Sequence, residues 1–168
     1  MDKYYYLITQ LPFLKFGEQN HLNKDSFLEE AKKWLTESDF KKLQKADIDD
    51  LEKRTKAGFL QEYKKFELTL RKELAAYREN KKKQQEYQPK EVLKKSLLEG
   101  NPLEVEKKLL YYRWQQIEES SKDYVFNLEA IIAYFLKLQI LEKVLSFDKE
   151  KGTKKFDSLT EVEDAKTR

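Results

Sequence analysis

The chain has no cysteine, one histidine, three prolines and four glycines among its 168 residues. Without cysteine there is no disulfide framework, no zinc finger and no thiol nucleophile. That composition fits a reducing cytoplasm. The glycines Gly17, Gly58, Gly100 and Gly152 all stand singly, which excludes a glycine-rich phosphate loop and the NTPase chemistry it supports. The longest unbroken apolar run is residues 130–136, far below the ~20 residues needed to span a bilayer. The apolar opening, residues 4–14, is short and interrupted by Gln10 and Pro12, unlike a secretory leader. A soluble protein is expected.

What is abundant is charge and helix-forming residues. Charged residues make up 39% of the chain, yet the net charge is only +3. The surface is therefore mixed, and a dedicated nucleic-acid binder, which concentrates positive charge on one face, is not expected. Long runs of Leu, Lys, Glu, Gln and Ala with few breakers point to an all-α fold. The architecture expected is an antiparallel helical bundle with one long charged amphipathic helix. Residues 1–150 read as one helical domain, or as two repeats at 1–88 and 89–150, followed by a polar tail.

Along the chain, residues 3–11 (KYYYLITQL) read as a short strand or helix, with Tyr, Ile and Thr leaning towards strand. A loop containing Gly17 follows. Asp25 or Ser26 is expected to cap one short helix and Ser38 or Asp39 to start another. From about residue 48 to 85 a stripe of Phe59, Tyr63, Phe66, Leu70 and Tyr77, with Leu74 beside it, lies on a charged helix. Its main part, about thirty residues, would extend about 45 Å. Residues 78–88 carry no stripe and read as a linker or a helix end in solvent, and residues 92–98 as a short helix. Asn101 and Pro102 then restart the chain as cap and first turn of a helix to about residue 119. That helix has two stripes, Leu103, Leu110, Trp114 and Ile117, and Val105, Leu109 and Tyr112. After a turn at 120–123, the last helix is apolar on most of its circumference: Leu128, Ile131, Phe135, Leu138 and Leu145 on one side, Ile132, Leu136 and Ile140 on another. Such a helix belongs inside a bundle. Residues 148–168 read as a polar tail that frays, with Phe156, Leu159 and Val162 as weak docking points.

Candidates for chemistry are few. His21 lies alone in a loop, without the partners that a triad or metal site requires. Asp47, Asp49 and Asp50 suggest a divalent cation but lack the glycine and terminal glutamate of an EF-hand loop; Asp49 is placed to cap or precede the long helix. No catalytic, cofactor-binding or metal-ligating residue is expected, and the protein is not expected to be an enzyme. Lys81, Lys82 and Lys83 would contact phosphates or acidic lipids, although a solvated charged face is the plainer reading. Tyr4, Tyr5 and Tyr6 are consecutive and cannot all face inward, so at least one is exposed or covered by a partner. Glu142 falls inside the apolar stripe of the last helix. Folding the hairpin places it opposite Asn101 and Pro102, where a carboxylate would meet unsatisfied N–H groups.

The opening DKYYYLITQLPFLKFG, with LTLRKELAAYR, NPLEVEKKLLYYRW and FNLEAIIAYFLKLQILEKVLSFDKEKG, resembles a short bacterial family encoded among the subunits of V-type (A/V-type) ATP synthases. Members of that family are similar in turn to the all-helical, funnel-shaped C subunit of those machines. The resemblance implies a structural subunit that connects the central rotor shaft to the membrane proteolipid ring, with other V-type ATPase subunits as partners. It places the chain in the cytoplasm, peripheral on the inner face of the membrane. The chain has room for one or two helical repeats where the funnel-shaped protein has three. Other readings are an assembly or regulatory factor of the same complex, or a basic helical adaptor that binds nucleic acid or an anionic membrane.

Overall fold

A computed structural model describes residues 3–50, 58–88 and 90–147, and these are all α: six helices and no strand among them. They are α1 (Lys3–Gln10), α2 (Lys24–Trp34), α3 (Glu37–Gln44), α4 (Phe59–Lys82), α5 (Pro102–Ser121) and α6 (Leu128–Leu145). One 3-10 turn, Lys95–Leu98, precedes α5. The expected polar tail with Phe156, Leu159 and Val162 lies outside the described residues. Among the described residues, no helix is long and apolar enough to cross a membrane.

The lean towards strand at residues 3–11 is overturned. Tyr4, Leu7, Ile8 and Leu11 recur at helical spacing and all pack against the main core, with Leu7 fully buried. Burial on a 3.6-residue period outweighs the weak strand preference of Tyr, Ile and Thr. Two caps also lie earlier than expected. Asn23, not Asp25 or Ser26, caps α2 by accepting the Ser26 N–H at 2.8 Å. Thr36, not Ser38 or Asp39, caps α3 by accepting the Asp39 N–H at 3.3 Å. In both, a side-chain oxygen reaches the third helical residue, the geometry that satisfies an otherwise orphan donor.

The long helix contains the whole stripe but is shorter than the expected span of about residues 48–85. It starts at Phe59 behind Gly58, whose φ of 139° suits glycine. Asp49 therefore does not cap it. Residue 48 is held out of helix because its backbone is bound on both sides. The Ile48 N–H donates to Gln139 Oε1 at 3.2 Å, and its carbonyl accepts from Arg71 Nη2 at 2.7 Å. Of the stripe, Phe59, Tyr63, Leu70 and Leu74 are buried, while Phe66 and Tyr77 are half-buried. Four residues outside that stripe, Leu60, Lys64, Glu67 and Glu73, are buried as well.

Residues 78–88 are not a plain linker. The helix runs on to Lys82, Gln84 turns the chain with a φ of 54°, and Tyr87 folds back into the protein, 5.6 Å from the Tyr77 ring. Nor do residues 92–98 form an α-helix. The Glu73 carboxylate accepts backbone N–H groups from Glu91, Val92 and Leu93 at 2.7–3.3 Å. That pins the segment to a side chain in place of its own helical ladder.

Two hydrophobic clusters result. The larger gathers α1, α2, α3, the first part of α4, the second half of α5, and α6. The smaller comprises Leu70, Leu74, Tyr87, Leu93 and Leu109, and Phe66 packs against both. α6 touches every other α-helix, which explains an apolar surface that goes almost all the way round. Leu128, Ile131, Ile132, Phe135, Leu136, Leu138 and Ile140 are buried; Leu145 is half-buried. On α5, Leu109, Leu110, Trp114 and Ile117 are buried, but Leu103, expected in the same stripe, is exposed.

The charged core is as specific as the apolar one. Glu67 is 1% exposed. It accepts from Arg113 Nε (2.8 Å), Arg113 Nη2 (3.0 Å) and Arg71 Nε (2.8 Å). With the bond from Arg71 to Ile48, this network joins α4, α5 and the segment before α4. Gln139, buried on α6, donates to the Ala46 carbonyl at 2.7 Å as well as accepting from Ile48.

Candidate protein-interaction surface

The surface begins with which tyrosine turns inward. On α1, Tyr4 shares a face with Leu7, and its hydroxyl donates to Asp39 Oδ2 on α3 at 2.9 Å. Burial, reinforced by that carboxylate, pushes the Tyr4 phenol up to about 12. Helical geometry then turns Tyr5 and Tyr6 outward, at 47% and 48% exposed.

These two rings do not stand alone. Tyr6 stacks on Trp34 at the end of α2, with centroids 5.8 Å apart and planes 15° from parallel. Tyr5 meets Tyr6 edge-on at 5.9 Å and packs against Phe126, in the loop before α6, at 5.0 Å. Trp34 and Phe126 are 37% and 39% exposed, and Val125 beside Phe126 is 57% exposed. The result is a continuous aromatic strip, Trp34–Tyr6–Tyr5–Phe126, laid across α2, α1 and the α5–α6 loop.

The strip is held in place from beneath and beside. Trp34 Nε1 donates to Glu30 Oε1 at 3.0 Å, and Lys33 Nζ lies 2.7 Å from Glu30 Oε2. The bonds from Lys33 and Trp34 hold the Glu30 carboxyl below its ordinary range. Exposed aromatics gathered into one patch, rather than scattered, are a mark of a partner surface. Such side chains present large area with few rotatable bonds, and Tyr and Trp add a polar handle.

The other expected residues fall elsewhere. Lys81 and Lys82 close α4 and Lys83 is its C-cap; all three are exposed, and Lys83 pairs with Glu79 at 2.6 Å. Cations there complement the negative end of the helix dipole. α1 and α4 are not in contact among the described residues, so the lysine and tyrosine triplets do not form one surface. His21 is exposed in its loop. Asp47 binds Lys24 Nζ at 3.2 Å and accepts the Asp49 N–H, while Asp49 pairs with Lys143 at 3.2 Å. Among the described residues, no group of three His, Cys, Asp or Glu side chains is placed to hold a metal ion.

Asn101 and Pro102 do start α5: Asn101 accepts the Glu104 N–H at 2.9 Å and Glu104 Oε2 accepts the Asn101 N–H at 3.2 Å. This reciprocal pair leaves no role there for Glu142. Glu142 instead accepts the N–H of Lys24, at the start of α2, at 2.6 Å. The expected placement opposite Asn101 and Pro102 is therefore corrected, since the end of α6 meets α2. Trp114 is buried beneath Lys137, whose ammonium lies 5.2 Å from its ring centroid. Ile131 is fully buried, and Phe135 stacks on Phe27 at 5.3 Å.

A model of a family described as "Protein of unknown function (DUF2764)" matches residues 87–164. The chain is similar to that family over just under half its length. The match takes in Tyr87, the 3-10 turn, α5 and α6, and it includes Phe126 but not Tyr5, Tyr6 or Trp34. No curated protein and no solved structure matches.

Proposed function

We propose that this chain is a non-catalytic structural subunit of a V-type ATPase or ATP synthase, joining the central rotor shaft to the membrane proteolipid ring. Its helical bundle would correspond to one or two repeats of the funnel-shaped C subunit. The observation that carries the reading is the Trp34–Tyr6–Tyr5–Phe126 strip on an all-helical body, taken with the resemblance in the opening and closing segments. A connector in a rotary machine makes and breaks no bonds; it must transmit force without deforming and must hold its partners in register. Close-packed helices resist deformation, and here they are cross-linked by the Glu67–Arg113 pair and by Gln139. An anchored aromatic strip supplies the partner face, and the mixed charge around it favours correct partners over wrong ones.

The test is purification of the tagged chain at its natural level from gently solubilised cells. Shaft and proteolipid-ring subunits should accompany it in fixed proportion. Markedly substoichiometric recovery in the finished complex would favour an assembly or regulatory factor. Recovery without any ATPase subunit would end the reading. Binding to nucleic acid or anionic vesicles that collapses steeply with added salt would instead favour the basic adaptor acting through Lys81, Lys82 and Lys83.

A further inference from the structure

Residues 4–14 carry no charge, the longest uncharged stretch in a chain that is 39% charged. Leu7 and Leu14 are buried, but Tyr5, Tyr6, Thr9, Gln10, Pro12 and Phe13 are exposed. Phe13 is 84% exposed, the most of any large apolar side chain among the described residues. Ile8, one turn on from Tyr5, shares an apolar hollow of about 210 Å³ with Phe13, Ala130 and Tyr134. The hollow joins Phe13 to the aromatic strip. Six of the nine exposed large hydrophobic side chains among the described residues therefore lie on one side: Phe13, Tyr5, Tyr6, Trp34, Val125 and Phe126. Their exposed parts amount to about three whole side chains, or ~600 Å² at ~200 Å² each. A contiguous apolar face of that size marks a contact surface.

We propose that the free chain pairs with a second copy of itself through this face, α1 against α1 and antiparallel, about a two-fold axis at Thr9. The pattern of the stretch selects that occupant. Thr9 is its midpoint, and Tyr5 and Phe13 lie four positions to either side. A two-fold axis there sets Tyr5 of each copy against Phe13 of the other, the reciprocity that an isologous contact requires. Aromatic pairs contribute beyond the area they bury. Charge agrees with this choice, because neutral surface meets neutral surface along the whole stretch. Lys3 and Lys15 bound it, and Lys15 is already paired with Glu18 at 3.4 Å.

The centre of the face can lose its water without stranding a polar group. Thr9 Oγ1 donates to the carbonyls of Tyr5 at 3.0 Å and Tyr6 at 3.1 Å. At the hollow, the Tyr134 hydroxyl donates to the Pro12 carbonyl at 2.9 Å. Trp34 Nε1 is held by Glu30. Covering these atoms leaves each with its partner, so no desolvation penalty is left unmet there. Area sets the strength. One copy's ~600 Å² falls short of the ~800 Å² per partner of a standard interface, but two copies together pass the ~1,000 Å² expected of a biological contact. The pair is thus a weak one that forms as concentration rises. This inference goes beyond the connector reading and does not rest on it; a subunit that binds the aromatic strip would displace the second copy.

Sedimentation equilibrium of the full chain across a concentration series tests the pairing. The apparent mass should rise from 20.3 kDa towards twice that value, and added salt should not change it, since no charges are engaged. Phe13→Asp, at an exposed position, should hold the protein at the single mass throughout while its melting curve stays unchanged. Tyr5→Ser should weaken association by about tenfold or more. The absence of cysteine supplies a second readout. Thr9→Cys introduces the only thiol, and a disulfide closes only where the Cα atoms come within about 7 Å. Under mild oxidation that variant should form a covalent dimer, and Leu68→Cys, also exposed but on α4, should not. Adding Phe13→Asp to Thr9→Cys should abolish the cross-link. A monomer at every concentration would overturn the proposal, as would a dimer that survives Phe13→Asp or leaves Thr9→Cys reduced. Mass that keeps growing past two chains would also overturn it, because a two-fold contact closes at two. None of these outcomes depends on whether ATPase subunits accompany the chain.

Discussion

Glu142, in the last turn of α6, accepts the backbone N–H of Lys24, the first residue of α2, at 2.6 Å. A side chain 118 positions away thus shares the start of α2 with the cap of Asn23. Glu142→Ala should lower stability by about 0.5–2 kcal/mol, the range for a lost cap or dipole partner. Glu142→Gln, which keeps an acceptor but loses the charge, should lower it less. Because Asn101 caps a different helix, Asn101→Ala and Glu142→Ala should add within about 0.5 kcal/mol. Chemical denaturation of the four species checks this, and strong non-additivity would mean that the two act on one helix end after all.

The Glu67–Arg113 pair makes a different claim. Glu67 is almost wholly enclosed and takes two bonds from one guanidinium. Glu67→Gln leaves the Arg113 guanidinium without its carboxylate in a dry place, which costs about 3–5 kcal/mol; Arg113→Met leaves Glu67 the Arg71 bond and should cost less. Replacing both by apolar residues of similar volume should recover most of the loss. Urea unfolding of the single and double variants measures this directly; a double variant as unstable as the sum of the singles would contradict it.

These polar anchors also show what was legible in the sequence and what was not. The all-α class, the start of α5 at Asn101 and Pro102, and the enclosed position of α6 follow from local signals: breakers, caps and periodicity. Such signals are carried by neighbouring residues. Glu67 and Glu73 look solvent-facing on the charged α4, and Gln139 is a polar residue on the apolar α6; their partners at Arg113, at residues 91–93 and at Ala46 and Ile48 are what hold them inside. No helical pattern encodes a contact 46 or 93 positions away. The same holds for the aromatic strip. The tyrosine triplet stood out, yet Trp34 and Phe126 join it only through tertiary packing, although a tryptophan at a helix end was a usable hint. Glu142 was the instructive error: a carboxylate in an apolar stripe did signal a helix N-terminus, but hairpin geometry alone selected α5 when the bundle supplies α2.

Glu73 gives the fold an acid-sensitive point. Burial pushes its carboxyl up, but the N–H groups of Leu93, Glu91 and Val92 together override burial and hold it below the ordinary 4.5. A depressed folded-state value means the charged form is bound more tightly in the folded protein. The stability it adds is therefore complete above the ordinary glutamate value and is lost as pH falls through the lower, folded-state value. Glu73→Gln should destabilise the protein at pH 7 by about 1–3 kcal/mol. The gap between the two proteins should narrow below pH 4.5. Parallel melting curves across that range would remove Glu73 as the source.

Core substitutions test the central role of α6. Phe135 is 1% exposed between the stacked Phe27 ring and the Lys24 ammonium, which sits 5.9 Å from its centroid. Phe135→Ala removes a whole ring and should destabilise by about 3–5 kcal/mol, and Ile131→Ala by about 2–5 kcal/mol. Unfolding midpoints check both. Near-native stability in either variant would contradict the placement of these residues in the core.

The aromatic strip separates binding from folding. Tyr5 and Tyr6 are half-exposed, and their partners Trp34 and Phe126 are themselves at the surface. Truncating them removes little area that folding buries, so the joint change Tyr5→Ser and Tyr6→Ser should shift stability by about 1 kcal/mol or less. A partner that covers the strip would instead lose its anchors, and clustered aromatic anchors each contribute about 2 kcal/mol or more. Losing two such anchors would weaken binding by a factor of several hundred or more, since 1.4 kcal/mol is tenfold. Under the proposed function, recovery of ATPase subunits with the tagged variant should therefore collapse while its melting temperature hardly moves. Neutralising Lys81, Lys82 and Lys83, on a helix end that α1 does not touch, should leave recovery intact. The opposite result, recovery lost with the lysines and kept without the tyrosines, would move the partner surface from α1 to the end of α4.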